Sequence, residues 1–214
     1  MDVILKAWTS EERFSHHGQY WTFNDIIVKP PSFREPHPAV WMGVGSGRSI
    51  RDVAHRDFNL LLGQYASPGD VAHNIAVYRE ALEANGQAWD PMRAGVTRAF
   101  FVSESERERE EALERRLANR MRQLKLATTP EGVTPGGTDR ATGDANEINV
   151  RSAVYGTPEQ IVQKLRDLEQ AGVGYVLING SGSGGEEKGR HSLRRFAREV
   201  MPLFAPGTKA QTAE

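Results

Sequence analysis

An apolar or β-rich run followed by an amphipathic helix recurs four times along this chain, and that alternation restricts its folds more than any other feature. The runs are residues 40–44, 58–62, 95–102 and 175–178. The first leads through Ser46, a fitting N-cap, into Ile50, Val53 and Ala54. The second leads through Ser67-Pro68-Gly69-Asp70, a capped start with proline at N1, into Val71, Ile75, Tyr78 and Leu82, closed by Gly86. The third precedes a highly charged segment, residues 104–125, with Leu113, Leu117, Met121 and Leu124 on one stripe and its charges on a solvated face. The fourth precedes Leu193, Phe196, Ala197, Val200, Met201 and Phe204, an apolar face that Pro202 ends or kinks. One more helix is marked by the capping box Thr157-Pro158-Glu159-Gln160, with Ile161, Val162, Leu165 and Leu168 behind it and Gly172 at its end. Strand and helix in this order mean an α/β fold with a parallel sheet. Four βα units fit either a small open sheet or half of a (β/α)8 barrel, which typically needs ~250 residues.

Ahead of the first unit, Val3, Ile4, Leu5, Ala7 and Trp8 read as the last turns of an apolar-faced helix. Phe14, Tyr20, Trp21, Phe23, Ile26, Ile27 and Val28 surround a turn at His17-Gly18 and predict an aromatic β-hairpin, ended by Pro30, Pro31, Pro36 and Pro38. His16 and His17 are adjacent, so in a strand they point to opposite faces and make poor co-ligands of one metal. Residues 127–149 are rich in Thr, Pro, Gly and Asp without a sustained period and read as a long loop, a candidate lid. The ordered domain is expected over residues 1–204, with a disordered polar tail at 205–214.

In parallel α/β folds the loops after the strands gather at one rim, which brings together the turns at 45–49, 63–67, 103 onward and 179–185. The first is the most informative. Gly43, Gly45 and Gly47 alternate at the end of a strand, and Ser46 and Ser49 flank the start of a helix. Such a junction aims free N–H groups and the positive helix end at one spot, while the hydroxyls add donors, so Gly45, Ser46, Gly47 and Ser49 form a candidate phosphate site. A glycine pattern of this kind also serves merely to permit a tight βα turn. Arg48 stands where a dinucleotide fingerprint wants its third glycine, which argues against a nicotinamide site. The second glycine-rich turn, 179–185, lacks the Gly-Lys-Ser/Thr of a P-loop.

The 214 residues suit one ordinary domain. The 27 basic and 28 acidic residues provide no broad attraction for nucleic acid or an anionic membrane, and no apolar run approaches the roughly 18 residues of a spanning helix. Without cysteine there are no disulfides and no thiolate metal site, and no metal is expected. The first residues lack the basic start of a signal peptide, so a cytoplasmic location is expected.

The blocks Leu5-Lys6-Ala7-Trp8-Thr9, Phe14-Ser15-His16-His17-Gly18-Gln19-Tyr20-Trp21-Thr22-Phe23, Pro36-His37-Pro38-Ala39-Val40-Trp41-Met42-Gly43, Tyr155-Gly156-Thr157-Pro158-Glu159 and Phe196-Ala197-Arg198-Glu199-Val200-Met201-Pro202 resemble, in order and spacing, the bacterial luciferase-like flavin-dependent monooxygenases. The resemblance implies the C-terminal half of a TIM barrel, strands five to eight, with the hairpin as an N-terminal insertion and residues 127–149 as a lid-like loop. It implies an oxidoreductase that uses reduced FMN, delivered by a separate flavin reductase, to oxidise a small organic substrate with oxygen; some relatives use the deazaflavin F420. It places part of the flavin-phosphate site on Gly45, Ser46, Gly47 and Ser49. The family's usual catalytic histidine and its other flavin contacts have no counterpart in this sequence, so no residue receives a catalytic role. Such a half barrel is expected to lack monooxygenase activity alone and to act as a homo-oligomer or with a complementing half-barrel chain.

Overall fold

The computed structural model describes residues 1–129, 144–180 and 183–205. The chain forms two compact units, Met1–Val40 and Trp41–Glu214.

In the first unit, helix α1 (Asp2–Thr9) precedes the antiparallel hairpin of β1 (Phe14–His17) and β2 (Thr22–Ile26). The turn closes where Gly18 N–H donates to Trp21 O at 2.9 Å. Lys6 ties helix to hairpin, its Nζ donating to Ser15 O at 2.9 Å and lying 5.3 Å from the centre of the Phe14 ring. Phe14 is buried, whereas Tyr20 and Trp21 are largely exposed. His16 is half-buried and His17 exposed, the alternation a strand imposes.

The second unit is a parallel α/β layer. Its strands are β3 (Trp41–Gly43), β4 (Asn59–Leu62), β5 (Ala94–Val102), β6 (Val154–Gly156) and β7 (Tyr175–Asn179), and every pairing is parallel. β3, β4, β5 and β7 are neighbours in that order, with Leu61 opposite Gly95 and Gly95 opposite Tyr175. The far end of β5 continues past this pairing to take β6, Phe101 opposite Tyr155.

The helices are α2 (Gly47–His55), α3 (Pro68–Ala84), α4 (Glu106–Ala127), α5 (Ala145–Ser152), α6 (Pro158–Gln170) and α7 (Glu186–Arg195). The sequence signals for three starts are realised as cap geometry. Ser46 accepts from Ser49 N–H, while Ser67 with Asp70 and Thr157 with Gln160 close reciprocal capping boxes, each followed by proline at N1. Ile50, Val53, Val71, Ile75, Tyr78 and Leu82 are buried, as the helical period requires. Tyr78 also donates from its hydroxyl to Phe58 O at 2.7 Å, fixing α3 to the start of β4.

Four expectations need correction. β6 is an additional strand; Val154, Tyr155 and Gly156 are too few to show a period, and the capping box behind them draws attention to the helix instead. Part of the expected loop at 127–149 is helical, because Asp144 caps α5 by accepting from Asn146 N–H and Glu147 N–H. The buried face of α5 is Ile148, Asn149 and Ser152, so its polar residues hide it from an apolar search. The remainder of the proposed lid, 130–143, lies outside the described residues, as do 181–182 and the tail from 206. On α4 the expected stripe holds only in part: Leu113 is buried, Leu117 and Leu124 are half-buried, and Met121 is exposed. Its charges are not all solvated, because Arg116 and Arg120 are buried on the inner side with Ala112. Finally, the last helix starts at Glu186, and Leu193 is half exposed while Ser192 takes the buried place. There the Ser192 hydroxyl accepts from Val102 N–H at 2.7 Å, a polar anchor to β5.

Candidate functional site

The turn from Gly43 to Ser49 joins β3 to α2. Ser46 Oγ accepts from Ser49 N–H at 3.3 Å and donates to Ser49 Oγ at 2.8 Å, so the two hydroxyls form a linked pair at the helix start. With its oxygen engaged by Ser46, the Ser49 hydroxyl keeps its own proton for a further acceptor. Ile50 N–H is the first amide to close onto the helix, donating to Ser46 O at 2.9 Å. The Gly47 and Arg48 amides precede it, in the first turn, where no intrahelical acceptor exists.

The glycines here answer no steric demand of the fold. Gly43, Gly45 and Gly47 stay outside the left-handed region, and a Cβ added at Gly43 or Gly45 would meet nothing within 4 Å. At Gly47 it would make only an ordinary contact, 3.5 Å from Arg51 Nη1. The absence of side chains therefore leaves room around the backbone donors. That is the condition for an anion to reach them.

The next loop along the rim is held from several sides. Arg98, buried on β5, donates from Nη2 to Ala66 O at 2.9 Å and from Nη1 to Gly63 O at 3.3 Å. Burial, with the Arg116 charge adding to it, lowers the Arg98 pKa to about 10. Tyr65, from the same loop, lies under two cations of α4, with Arg116 Cζ 4.6 Å and Arg120 Cζ 4.2 Å from its ring centre. Asn179 at the end of β7 reaches across to Gln64 Oε1 at 3.4 Å.

Arg116 also secures α5. Its Nη1 donates to Asn149 O and Oδ1, both at 2.7 Å, and its Nη2 donates to Ser152 Oγ at 3.2 Å. Next to this network the Tyr155 phenol is raised by burial, against the lowering effect of Arg116. Among the described residues, Tyr155 Oη and Ser103 Oγ are buried without a hydrogen-bond partner.

The expected rim is thus realised around 63–67, α4 and the end of β7. The serine pair makes its hydrogen bonds within its own turn. The sequence reading missed Tyr65, Arg98, Arg116, Arg120 and Tyr155. A strand arginine such as Arg98 among Ala94, Val96, Ala99 and Phe100 was the available signal, since a charge in an apolar strand marks either an exposed edge or a buried hydrogen-bonded role.

The family described as luciferase-like monooxygenase matches residues 1–174. The chain belongs to the luciferase-like monooxygenase family. A curated relative, the FMNH(2)-dependent dimethylsulfone monooxygenase of Pseudomonas putida, is 27% identical over 212 residues, covering 93% of this luciferase-like chain and 55% of its own length. A monooxygenase from Streptomyces bottropensis shares the fold with a TM-score of 0.74 at 20% identity, covering 95% of this chain and 59% of that one. An F420-dependent secondary alcohol dehydrogenase in complex with an F420-acetone adduct superposes with a TM-score of 0.68 at 12% identity, covering 94% and 59%. This luciferase-like chain therefore spans little more than half the length of the relatives it matches. Among its described residues no helix is long and apolar enough to cross a membrane.

Proposed function

We propose that this chain contributes the flavin-phosphate turn of a reduced-flavin-dependent monooxygenase acting on a small organic substrate. The observation that carries the reading is the open turn, with Ser46 and Ser49 linked at 2.8 Å at the start of α2 and no atom within 4 Å of a Cβ built on Gly45. Gly45 and Gly47 let the phosphate reach the backbone, the Gly47 and Arg48 amides point at it, and the Ser49 hydroxyl donates to it. Ser46 orients Ser49 and caps the helix, whose positive end favours the dianion. When bound, reduced flavin supplies the oxygen chemistry. The chain's own part is to hold and orient that group, and no catalytic residue is assigned within it.

FMN is favoured because the curated relative is named for FMNH(2). F420 is the second reading, favoured by the likeness to the F420-dependent dehydrogenase, and the same turn would suit the phosphate in its side chain. A separate reductase would supply the reduced flavin, and we assign the chain to the cytoplasm. The test is to titrate FMN and F420, oxidised and reduced, and to follow substrate-dependent oxygen uptake with small organosulfur compounds. Reduced FMN is expected to bind at least tenfold more tightly than F420, with no substrate-dependent oxygen uptake from this chain alone. Tighter binding of F420 would replace the first reading with the second, and binding of neither would end both.

A further inference from the structure

Among the described residues the buried charges are all of one sign: Arg98, Arg116 and Arg120 are buried, and no aspartate or glutamate is. Arg98 directs its hydrogen bonds to the carbonyls of Gly63, Ala66 and Thr97, and Arg116 directs those described above to Asn149 and Ser152 of α5; these acceptors are neutral. Two hydroxyls lie beside these cations. Tyr155 stands opposite Phe101 in the pairing of β5 with β6, and Ser103, two residues further along β5, shares the face of Phe101 that packs against Ala112 and Leu113 of α4. Arg116 follows one turn later on that helix. Burial raises the Tyr155 phenol while the charges of Arg116 and Arg115 act against it, which places the hydroxyl within their field. Neither hydroxyl can turn to solvent, since Tyr155 is fully buried and Ser103 is 1% exposed. Both are also held in place. Ser103 N–H donates to Gly156 O at 2.9 Å, Ser103 O accepts from Arg195 Nη1 at 3.2 Å, and the Tyr155 ring packs edge-on to Phe101 at 6.0 Å between centres. Two enclosed O–H donors without an acceptor, beside guanidinium groups, are the elements that recognise an anion.

We infer that a single small anion of halide size binds between α4 and the paired ends of β5 and β6, taking hydrogen bonds from Tyr155 Oη and Ser103 Oγ with the Arg116 guanidinium beside it. The donors set its sign, since both hydroxyls can give a proton to one acceptor while the arginines repel a cation. Enclosure sets its size, because the two oxygens have no exposed surface through which a larger acid could reach them. A water molecule would satisfy the hydroxyls and leave the buried charge unanswered. The site shares no residue with the turn at Ser46 and Ser49, and the inference stands independently of the flavin reading.

The test is urea unfolding of the purified chain in sodium bromide and, at equal ionic strength, in sodium gluconate, whose anion is too large to be enclosed. A ligand held only by the folded chain stabilises it according to its occupancy, so the midpoint should climb with low concentrations of bromide, flatten as the site fills, and stay lower in gluconate. In Tyr155→Phe the midpoints in the two salts should coincide. Ser103→Ala, which removes a single oxygen, should raise the bromide concentration at half-effect by roughly tenfold or more, the worth of one hydrogen bond to a charged group. In gluconate both variants should unfold no earlier than the wild type, since each deletes a donor that has no acceptor there. Crystals grown in bromide should show an anomalous peak in contact with Tyr155 Oη and Ser103 Oγ. Equal wild-type midpoints in the two salts, a bromide effect that both variants keep, midpoints of the variants lowered by the same amount in both salts, as loss of a bound water would give, or bromide peaks at the surface only would each overturn the inference. None of these readouts involves flavin.

Discussion

A Cβ at Gly45 would meet nothing within 4 Å, whereas one at Gly174 would fall 2.4 Å from both the carbonyl carbon and oxygen of Pro91. Gly174 sits just before β7, where its N–H donates to Pro91 O at 3.0 Å and Ala94 O at 3.2 Å, so the backbone of the 3₁₀ turn at Pro91–Arg93 is pressed against it. Glycine is required there by packing. At Gly45 nothing in the fold requires it, and what it provides is access to the donors of α2. The same residue type thus marks a structural constraint in one place and a candidate ligand contact in the other, and only the surroundings separate them.

The contrast predicts a wide spread of effects. Gly174→Ala should be the most damaging change, because the obstructing atoms are backbone and cannot swing aside; overpacking costs about 1–3 kcal/mol, and this site belongs at the upper end, read as a lower urea midpoint. A loss below about 1 kcal/mol would break the distinction. Arg98→Met should follow, with a loss of about 2–3 kcal/mol, since it leaves the carbonyls of Gly63 and Ala66 without their charged donor. Limited proteolysis should then cut first within 63–67. Ser49→Ala should leave stability nearly unchanged and weaken FMN binding by roughly ten- to a hundredfold, the worth of one hydrogen bond to a charged group.

Asp70→Asn should cost about 1 kcal/mol through the Ser67 capping box. The hydrogen bonds from Ser67 hold Asp70 below its ordinary pKa of 3.8. A depressed carboxylate stabilises the fold above that ordinary value, and the contribution disappears as pH falls through the lower folded value. Wild type and Asp70→Asn should therefore converge in stability below pH 3.8 and differ above it. Smallest of all, Gly45→Ala should change stability by less than about 1 kcal/mol, with a slight gain because alanine restricts the unfolded chain. If it also leaves FMN affinity unchanged, the access role of Gly45 is wrong.

Much of this was legible in the residues. The alternation of β-rich runs with Ser67 and Thr157 capping boxes specifies parallel βα units, because caps and apolar periods are local and survive in any context. The aromatic pattern around Gly18 likewise gave the hairpin. What stayed hidden depends on contacts distant in sequence. Arg116 and Arg120 look like ordinary members of a charged helix, and only Tyr65, some fifty residues earlier, together with Asn149, shows why they are buried. Asn149 and Ser152 conceal α5 for the same reason, since a polar residue satisfied by a distant arginine reads locally as loop. The candidate site divides along this line too: the serine pair and its glycines are contiguous and visible, while the Arg98 support of the neighbouring rim loop is not.

Comparison of FMN with riboflavin decides whether the Ser46–Ser49 turn holds a flavin phosphate, because the two share the ring and differ in the phosphate. Titrated into the purified chain and into Ser49→Ala under the same conditions, FMN should bind the wild type at least tenfold more tightly than riboflavin does, and the gap should narrow by roughly ten- to a hundredfold in the variant. Equal affinities of the wild type for the two flavins, or a preference for FMN that Ser49→Ala leaves intact, would show that the turn holds no phosphate.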